Sequence, residues 1–235
     1  MSNLLHTFAI SDVHLQPMEK ILKGCEGDLL VIAGDMTFTG SLQEMTRFKK
    51  DLLKVRGQFT HTALCLGNHE RELDPARGFS NGLNYCRELA EDTKSDFLHN
   101  SGVTYTKNGR DIKVWGSPFT PTFFDWGFLK DRGEPIAQIW KQIPEGLDLL
   151  VTHGPPADCM STLPWSGEDV GCQDLRDRLD NMVGSPKVAI HGHLHFSGGK
   201  HIRKPTNTGT FIDYYNVAIC DEGYKPLNTV TSFFL

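Results

Sequence analysis

No stretch of this 235-residue chain approaches the roughly 20 consecutive apolar residues that a membrane-spanning helix requires, so a membrane protein of that kind is not expected. The first ten residues carry no basic flank and no small-residue cleavage site; they read as a first strand rather than a leader, and a cytoplasmic protein is expected. The six cysteines, Cys25, Cys65, Cys86, Cys159, Cys172 and Cys220, are widely spaced and lack any CxxC pair. Several sit among apolar residues, where a reduced thiol packs as a small hydrophobe, so no disulfide framework is expected. Basic residues are not in excess either. With 24 Lys and Arg against 29 Asp and Glu the net charge is -5, which argues against tight binding to a nucleic-acid backbone. Lys49, Lys50 and Lys54 form one short basic stretch, the solvated face of a helix. There is no internal repeat, low-complexity tract, P-loop, Rossmann fingerprint or G-x-S-x-G elbow.

What remains is a regular alternation. Leu5 to Ile10, Leu29 to Ala33, Thr62 to Leu66, Leu147 to Val151 and Lys187 to Ile190 are short apolar runs followed by polar residues or Gly, as buried parallel strands are. Ser41 with Glu44 resembles a capping box opening a helix toward Leu53, and Asn81 to Asp92 and Gly171 to Met182 carry apolar residues at helical spacing. Val103 to Val114 encloses Asn108-Gly109, the chemistry of a type I′ hairpin. Phe211 to Ile219 and Thr229 to Phe234 read as two further strands, expected antiparallel. The fold class expected is α/β: a two-sheet β-sandwich flanked by helices, one domain over residues 1–235.

Most of the polar residues of interest stand where these runs end. In order they are Asp12, His14, Asp35, Asn68, His153, His193 and His195, with His69 adjoining Asn68. The carboxyl ends of strands are where α/β sheets place their sites, so one polar centre is expected. His with Asp and Asn suits Mn, Fe, Zn or Ni better than Ca or Mg alone, because imidazole is a borderline ligand. Asp12 and His14 are two apart and would leave a strand on the same side, as would His193 and His195. Gly34 frees the backbone to turn, so that Asp35 reaches two ions at once; a shared carboxylate brings two cations within about 4 Å. The joint order D-x-H, G-D, G-N-H-E, H-G-P and G-H-x-H points to a two-metal hydrolase.

These five motifs resemble those of the calcineurin-like metallophosphoesterase superfamily over nearly the whole chain. By that similarity Asp12, His14, Asp35 and His195 would hold the first metal, and Asp35, Asn68, His153 and His193 the second. A closer likeness, to the brain-type metallophosphoesterase-domain proteins, is carried by Trp115 to Pro118, Thr120, Trp126 to Phe128, Ile143 to Gly146 and Thr152 to Pro156. Some animal members of that group lack the first His of the last motif, which here is present as His193. One departure is Glu70, where many members have Asp; Glu70 is expected to orient His69. His69 is expected to be the non-ligand catalytic partner, stabilising transition-state charge or protonating the leaving oxygen.

His191 falls one step back in its strand and is expected to support a metal-bound imidazole. His6, His61, His99 and His201 lie outside any motif. Trp115, Phe119, Phe123, Phe124, Trp126 and Phe128 form a segment punctuated by Pro118 and Pro121, expected to be a loop that packs on the core, with a ring or two free to stack a base. Asp125 and Arg132 are candidates for the same pocket. The expected activity is hydrolysis of a small phosphodiester, a cyclic nucleotide by family resemblance, by hydroxide that two divalent or mixed-valence metal ions, Mn first, make available near neutral pH. Rival readings are a protein Ser/Thr phosphatase, a nuclease, which would need a basic track, and a nucleotide-binding scaffold with weak turnover.

Overall fold

The computed structural model describes residues 3–235. Strands β1 (His6–Ile10), β2 (Gly27–Ala33), β3 (Phe59–Cys65) and β4 (Asp96–Leu98) run parallel. The last strand, β13 (Thr231–Phe234), joins that sheet antiparallel to β1. A second sheet has the order β11-β12-β10-β9-β6-β5, from β5 (Ser101–Lys107), β6 (Arg110–Ser117), β9 (Leu149–Thr152), β10 (Val188–His191), β11 (His201–Pro205) and β12 (Phe211–Asn216). Its four middle strands are parallel and its two edges antiparallel. A two-residue pair, β7 (Thr120–Pro121) with β8 (Leu129–Lys130), stands apart.

The sheets face each other, and strand alternation explains why their sequences are apolar throughout. From β2, Leu29, Val31 and Ala33 enter the layer between the sheets, where Leu149, Val151 and Ile190 meet them. Leu30 and Ile32 point outward to helices α1 (Met18–Ile21), α2 (Leu42–Val55) and α3 (Gly82–Asp92), against Met18, Phe48, Leu52 and Leu89. On the other side Leu150 and Ala189 face α4 (Glu134–Trp140) and α5 (Gln173–Asn181), against Trp140, Leu175 and Leu179. Each such buried Leu, Ile or Val contributes roughly 1.5 to 3 kcal/mol. The sandwich flanked by helices is therefore the architecture the sequence led us to expect. None of the helices among the described residues is long and apolar enough to cross a membrane. All six cysteines are unpaired.

Local expectations fared unevenly. Lys107 pairs with Arg110 across Asn108 and Gly109, whose φ angles of 51° and 80° are those of the anticipated I′ turn. Ser41 caps α2, accepting from the Glu44 amide at 3.4 Å. Glu44 does not complete the box, because its carboxylate accepts from the Thr39 amide and hydroxyl at 2.8 and 2.9 Å. The strand in Phe211 to Ile219 stops at Asn216 and is antiparallel only to β11; it runs parallel to β10. Trp115 does not lie in the loop expected of it. It lies inside β6, paired with Leu150, and its ring is buried against Ile136 and Trp140. The prolines begin the loop only after Ser117, since the β-prone residues before them add to a sheet.

Candidate dinuclear metal centre

Pairing sets the strand exits level: Ile10 with Ile32, Ile32 with Leu64, and Val151 with Ile190. Asp12 and His14 follow β1, Asp35 follows β2, Asn68 and His69 follow β3, His153 follows β9, and His193 and His195 follow β10. All eight therefore converge where the carboxyl ends of both sheets meet. The backbone does not leave as extended strand. Asp12, His14, Asp35 and His193 have φ of 52°, 42°, 52° and 67°, a left-handed conformation that costs energy for non-glycine residues and concentrates at functional sites. Thus Asp12 and His14 share a destination through left-handed turns, not strand alternation, while His193 and His195 part company. Gly34, at φ 97°, is required outright: a Cβ there would stand 2.4 Å from the His153 ring.

Two groups of donors result. Asp12, His14 and His195 bring ligand atoms within 4.8 Å of one another, and so do Asp35, His153 and His193. Asn68 joins the second group, its Oδ1 lying 2.8 Å from both His153 Nε2 and His193 Nδ1. Asp35 also groups with His14 and His69, so its carboxylate stands between the two sets.

The imidazole tautomers test whether these residues suit a metal. His14, His153 and His195 each place Nδ1 on a backbone carbonyl, of Thr37, Ala33 and Asp221, at 3.0, 3.0 and 2.8 Å. A carbonyl only accepts, so Nδ1 carries the proton and a neutral ring turns its Nε2 lone pair inward. Inside, His14 Nε2 lies 3.4 Å from His195 Nε2, and His195 Nε2 lies 3.1 Å from Asp12 Oδ1. Lone pairs so placed repel unless a cation or a proton sits among them. The Asp12 and Asp35 carboxylates are almost wholly buried, and among the described residues no Lys or Arg lines the cavity that Asp35 borders. A buried charge without such a partner suits a metal. The donor set fits two cations.

Without cations, protons take that place. Burial lowers the proton affinity of His153 and His195, but the Asp35 and Asp12 carboxylates beside them outweigh it and hold both at about 9. Burial likewise opposes ionisation of Asp12, yet the His195 contact brings it down to about 2. His193, buried with the His153 charge nearby, falls to about 3. Binding of metal must therefore displace protons from the first two rings.

Two expected roles change. Glu70 does not orient His69. Its carboxylate is fully buried and accepts from the amides of Asp35, Thr37 and Gly67 and the Thr37 hydroxyl at 2.7 to 3.1 Å, tying together the loops after β2 and β3. His69 is positioned instead by the Phe38 carbonyl, 2.9 Å from Nδ1, and by the Trp126 ring at 4.3 Å. His191 supports no ligand ring. Strand alternation turns it away from the interior layer that Ile190 enters, and its Nδ1 lies 3.3 Å from the Gly192 carbonyl. Backbone carbonyls do the orienting expected of it.

A cavity of about 150 Å³ opens above the donors, rimmed by Phe123, Trp126 and Tyr224. Asp125 is drawn away from it by Arg77, at 2.7 Å. Sequence reasoning overlooked Tyr224, whose ring stands 4.7 Å from that of His14, and Asp221, whose carbonyl orients His195. The only local signal there is the turn-forming Asp221-Glu222-Gly223, which says nothing of a site 26 residues from His195.

Parallel strands from two facing sheets, with carboxylate, amide and imidazole donors gathered at their carboxyl ends, define the class as a two-sheet α/β metal-site protein. A family model described as calcineurin-like phosphoesterase matches residues 5–197, and the chain belongs to that family. It is 30% identical over 217 residues to human metallophosphoesterase domain-containing protein 1, covering 86% of this chain and 63% of that protein. To the UPF0046 protein C25E10.12 of Caenorhabditis elegans it is 29% identical over 241 residues, covering 96% and 80%. Among solved structures, phosphopantetheinyl hydrolase from Mycobacterium tuberculosis superposes with a TM-score of 0.62 at 15% identity over 99% of this chain and 97% of its own, a likeness of fold.

Proposed function

We propose that this protein is a metal-dependent phosphoesterase with a dinuclear centre, and within that class a phosphodiesterase for small nucleotides, cyclic ones included. Residues 1–235 are read as one domain of that class. The observation that carries the reading is Asp35, which belongs to donor groups on both sides while three tautomer-fixed imidazoles aim lone pairs inward. Asp12, His14, Asp35 and His195 would hold one cation and Asp35, Asn68, His153 and His193 the other, Mn being our first choice. Two such ions supply a water that ionises near neutral pH and Lewis acidity toward phosphoryl oxygens.

The chain's own side chains do the rest. With Nδ1 held on Phe38, His69 turns Nε2 into the cavity, 3.9 Å from Asp35 Oδ2. There the doubly protonated ring would give a proton to the leaving oxygen or offset charge on the phosphoryl group. Trp126 restricts the ring to that attitude. The lining, free of Lys and Arg among the described residues, gives a longer polyanion no basic track beyond the two cations. To test it, protein stripped of metal is reloaded with Mn, Fe, Zn or Ni and assayed on cyclic nucleotides, a phosphomonoester and a phosphopeptide. Preferred turnover of the diesters is expected. A better monoester or phosphopeptide rate removes the substrate assignment, and no turnover with any metal removes the enzyme.

A further inference from the structure

A second cavity of about 580 Å³ adjoins the metal centre and shares Phe123, His193 and Glu222 with it. Its size is that of a small-molecule site. Two aromatic pairs contribute to its walls: Phe123 with Phe124, ring centres 6.1 Å apart, and Trp165 with Phe196, 5.8 Å apart. Phe124 and Trp165 are 91% and 68% exposed, although burying such rings is among the larger sources of folding energy.

Trp165 is not loosely held. It sits at the tip of a small hairpin in which Thr162 bridges Asp169, the Leu163 amide donates to Glu168 at 2.8 Å and the Gly167 amide to Leu163 at 2.9 Å. Asp169 secures the base of the hairpin, accepting from the Ser161 hydroxyl at 2.7 Å and the amides of Asp158 and Gly171 at 2.6 and 2.8 Å. Arg132 adds bonds to the carbonyls of Gly171 and Val170 at 2.7 and 2.9 Å. An anchored turn that holds a large ring in solvent beside a reactive centre is preorganised for a flat ligand.

Charge narrows the ligand further. Glu168 and Glu222 line the cavity, and Arg132 is the one Lys or Arg among the described residues that does, with both terminal nitrogens engaged with backbone carbonyls. Carboxylates only accept, so they attract N–H and O–H groups and repel a second phosphate.

We propose that this cavity is the subsite for the base of a nucleotide diester: a planar, uncharged ring with N–H donors, bounded by the Phe123–Phe124 and Trp165–Phe196 pairs. The proposal rests on the phosphodiesterase reading and adds its specificity residues, of which Trp165 and Phe196 lie outside the aromatic segment expected to stack a base.

The test uses two esters with the same leaving group, thymidine 5′-(p-nitrophenyl phosphate) and methyl p-nitrophenyl phosphate, on Mn-loaded protein. Trp165→Ala and, separately, Phe124→Ala should lower the ratio of kcat/KM for the thymidine ester over the methyl ester by about 5- to 100-fold, chiefly through KM, the range of one base stack. An unchanged ratio in both variants overturns the subsite while leaving the phosphodiesterase standing. Should the unaltered protein cleave neither ester, the phosphodiesterase reading fails, and equilibrium dialysis with thymidine 5′-monophosphate decides the subsite: weaker binding by Trp165→Ala supports it, and equal binding removes it. Glu168→Gln supplies the charge arm. It should improve binding of thymidine 3′,5′-bisphosphate more than that of the monophosphate, and an equal effect on both removes the carboxylates from the account.

Discussion

The floor of the site and its rim are built on opposite principles. The floor consists of buried and half-buried side chains that leave the ends of five strands, each aimed by a backbone carbonyl, a glycine or a left-handed turn. The rim consists of exposed and half-exposed rings on loops, Phe38, Phe123, Phe124, Trp126, Trp165 and Tyr224. A floor fixed by the sheets has one workable geometry for two cations, whereas rings on loops can be exchanged without moving it. Reactivity and substrate choice are thus separable here, and substitutions in the two regions should differ in kind.

The sharpest break lies in the floor. Asp35→Ala is expected to abolish turnover and to leave less bound metal than His14→Ala, because the Asp35 carboxylate stands between the two ligand sets, grouping with His14 on one side and with His153 and His193 on the other, whereas His14 belongs to the first side. Elemental analysis of the purified proteins checks this, and metal content in Asp35→Ala equal to that of the unaltered protein would end its bridging role. His69→Ala is next. It should retain its metal yet lose roughly 10²- to 10⁴-fold in kcat, as positioned acids and bases do. The loss should be smaller for an activated aryl ester than for an alkyl ester; equal losses leave charge stabilisation alone.

Glu70 separates support from chemistry within the floor. Glu70→Ala strands three buried amides and a hydroxyl, so it should lower unfolding stability by several kcal/mol, about 1 to 3 for each donor left unsatisfied. Denaturant titration of the metal-free protein reads that loss directly. A stability within 1 kcal/mol of the parent contradicts the tie between the two loops and restores a role through His69.

At the rim the smallest effects on turnover are expected. Trp126→Ala should raise KM for a nucleotide several-fold and loosen His69, with little change in unfolding midpoint. Trp115→Ala, by contrast, removes a ring from the core behind β6 and should cost about 3 to 5 kcal/mol of stability without a selective effect on KM. Thermal melts and steady-state kinetics on the same two proteins sharpen the comparison, and a nucleotide-selective KM effect at Trp115 would contradict its placement.

Much of the floor was legible beforehand for a local reason. Each candidate ligand stands a few residues beyond an apolar run, and strand length, apolar period and glycine placement are short-range properties. The errors were long-range. Glu70 follows His69 in sequence but folds back onto Gly67 and across to Asp35 and Thr37. His191 keeps the spacing of His193 and His195, but strand alternation turns it to the face opposite Ile190, and the left-handed turn at His193 redirects only the residues after it.

By itself, then, the sequence determined the α/β class, the chain order of the donors and their place at strand ends, all written in hydrophobic period and in residue type. Tertiary structure alone decided which carbonyl fixes which imidazole, that Trp115 belongs to the core, that Tyr224 stands at the site, and that Trp165 lines the cavity beside it. Ala33 and His153 are 120 residues apart, and no local pattern encodes a contact made only when two sheets close on each other. Backbone carbonyls are the same at every residue, so the groups that orient this centre leave no mark in the sequence until the fold brings them to it.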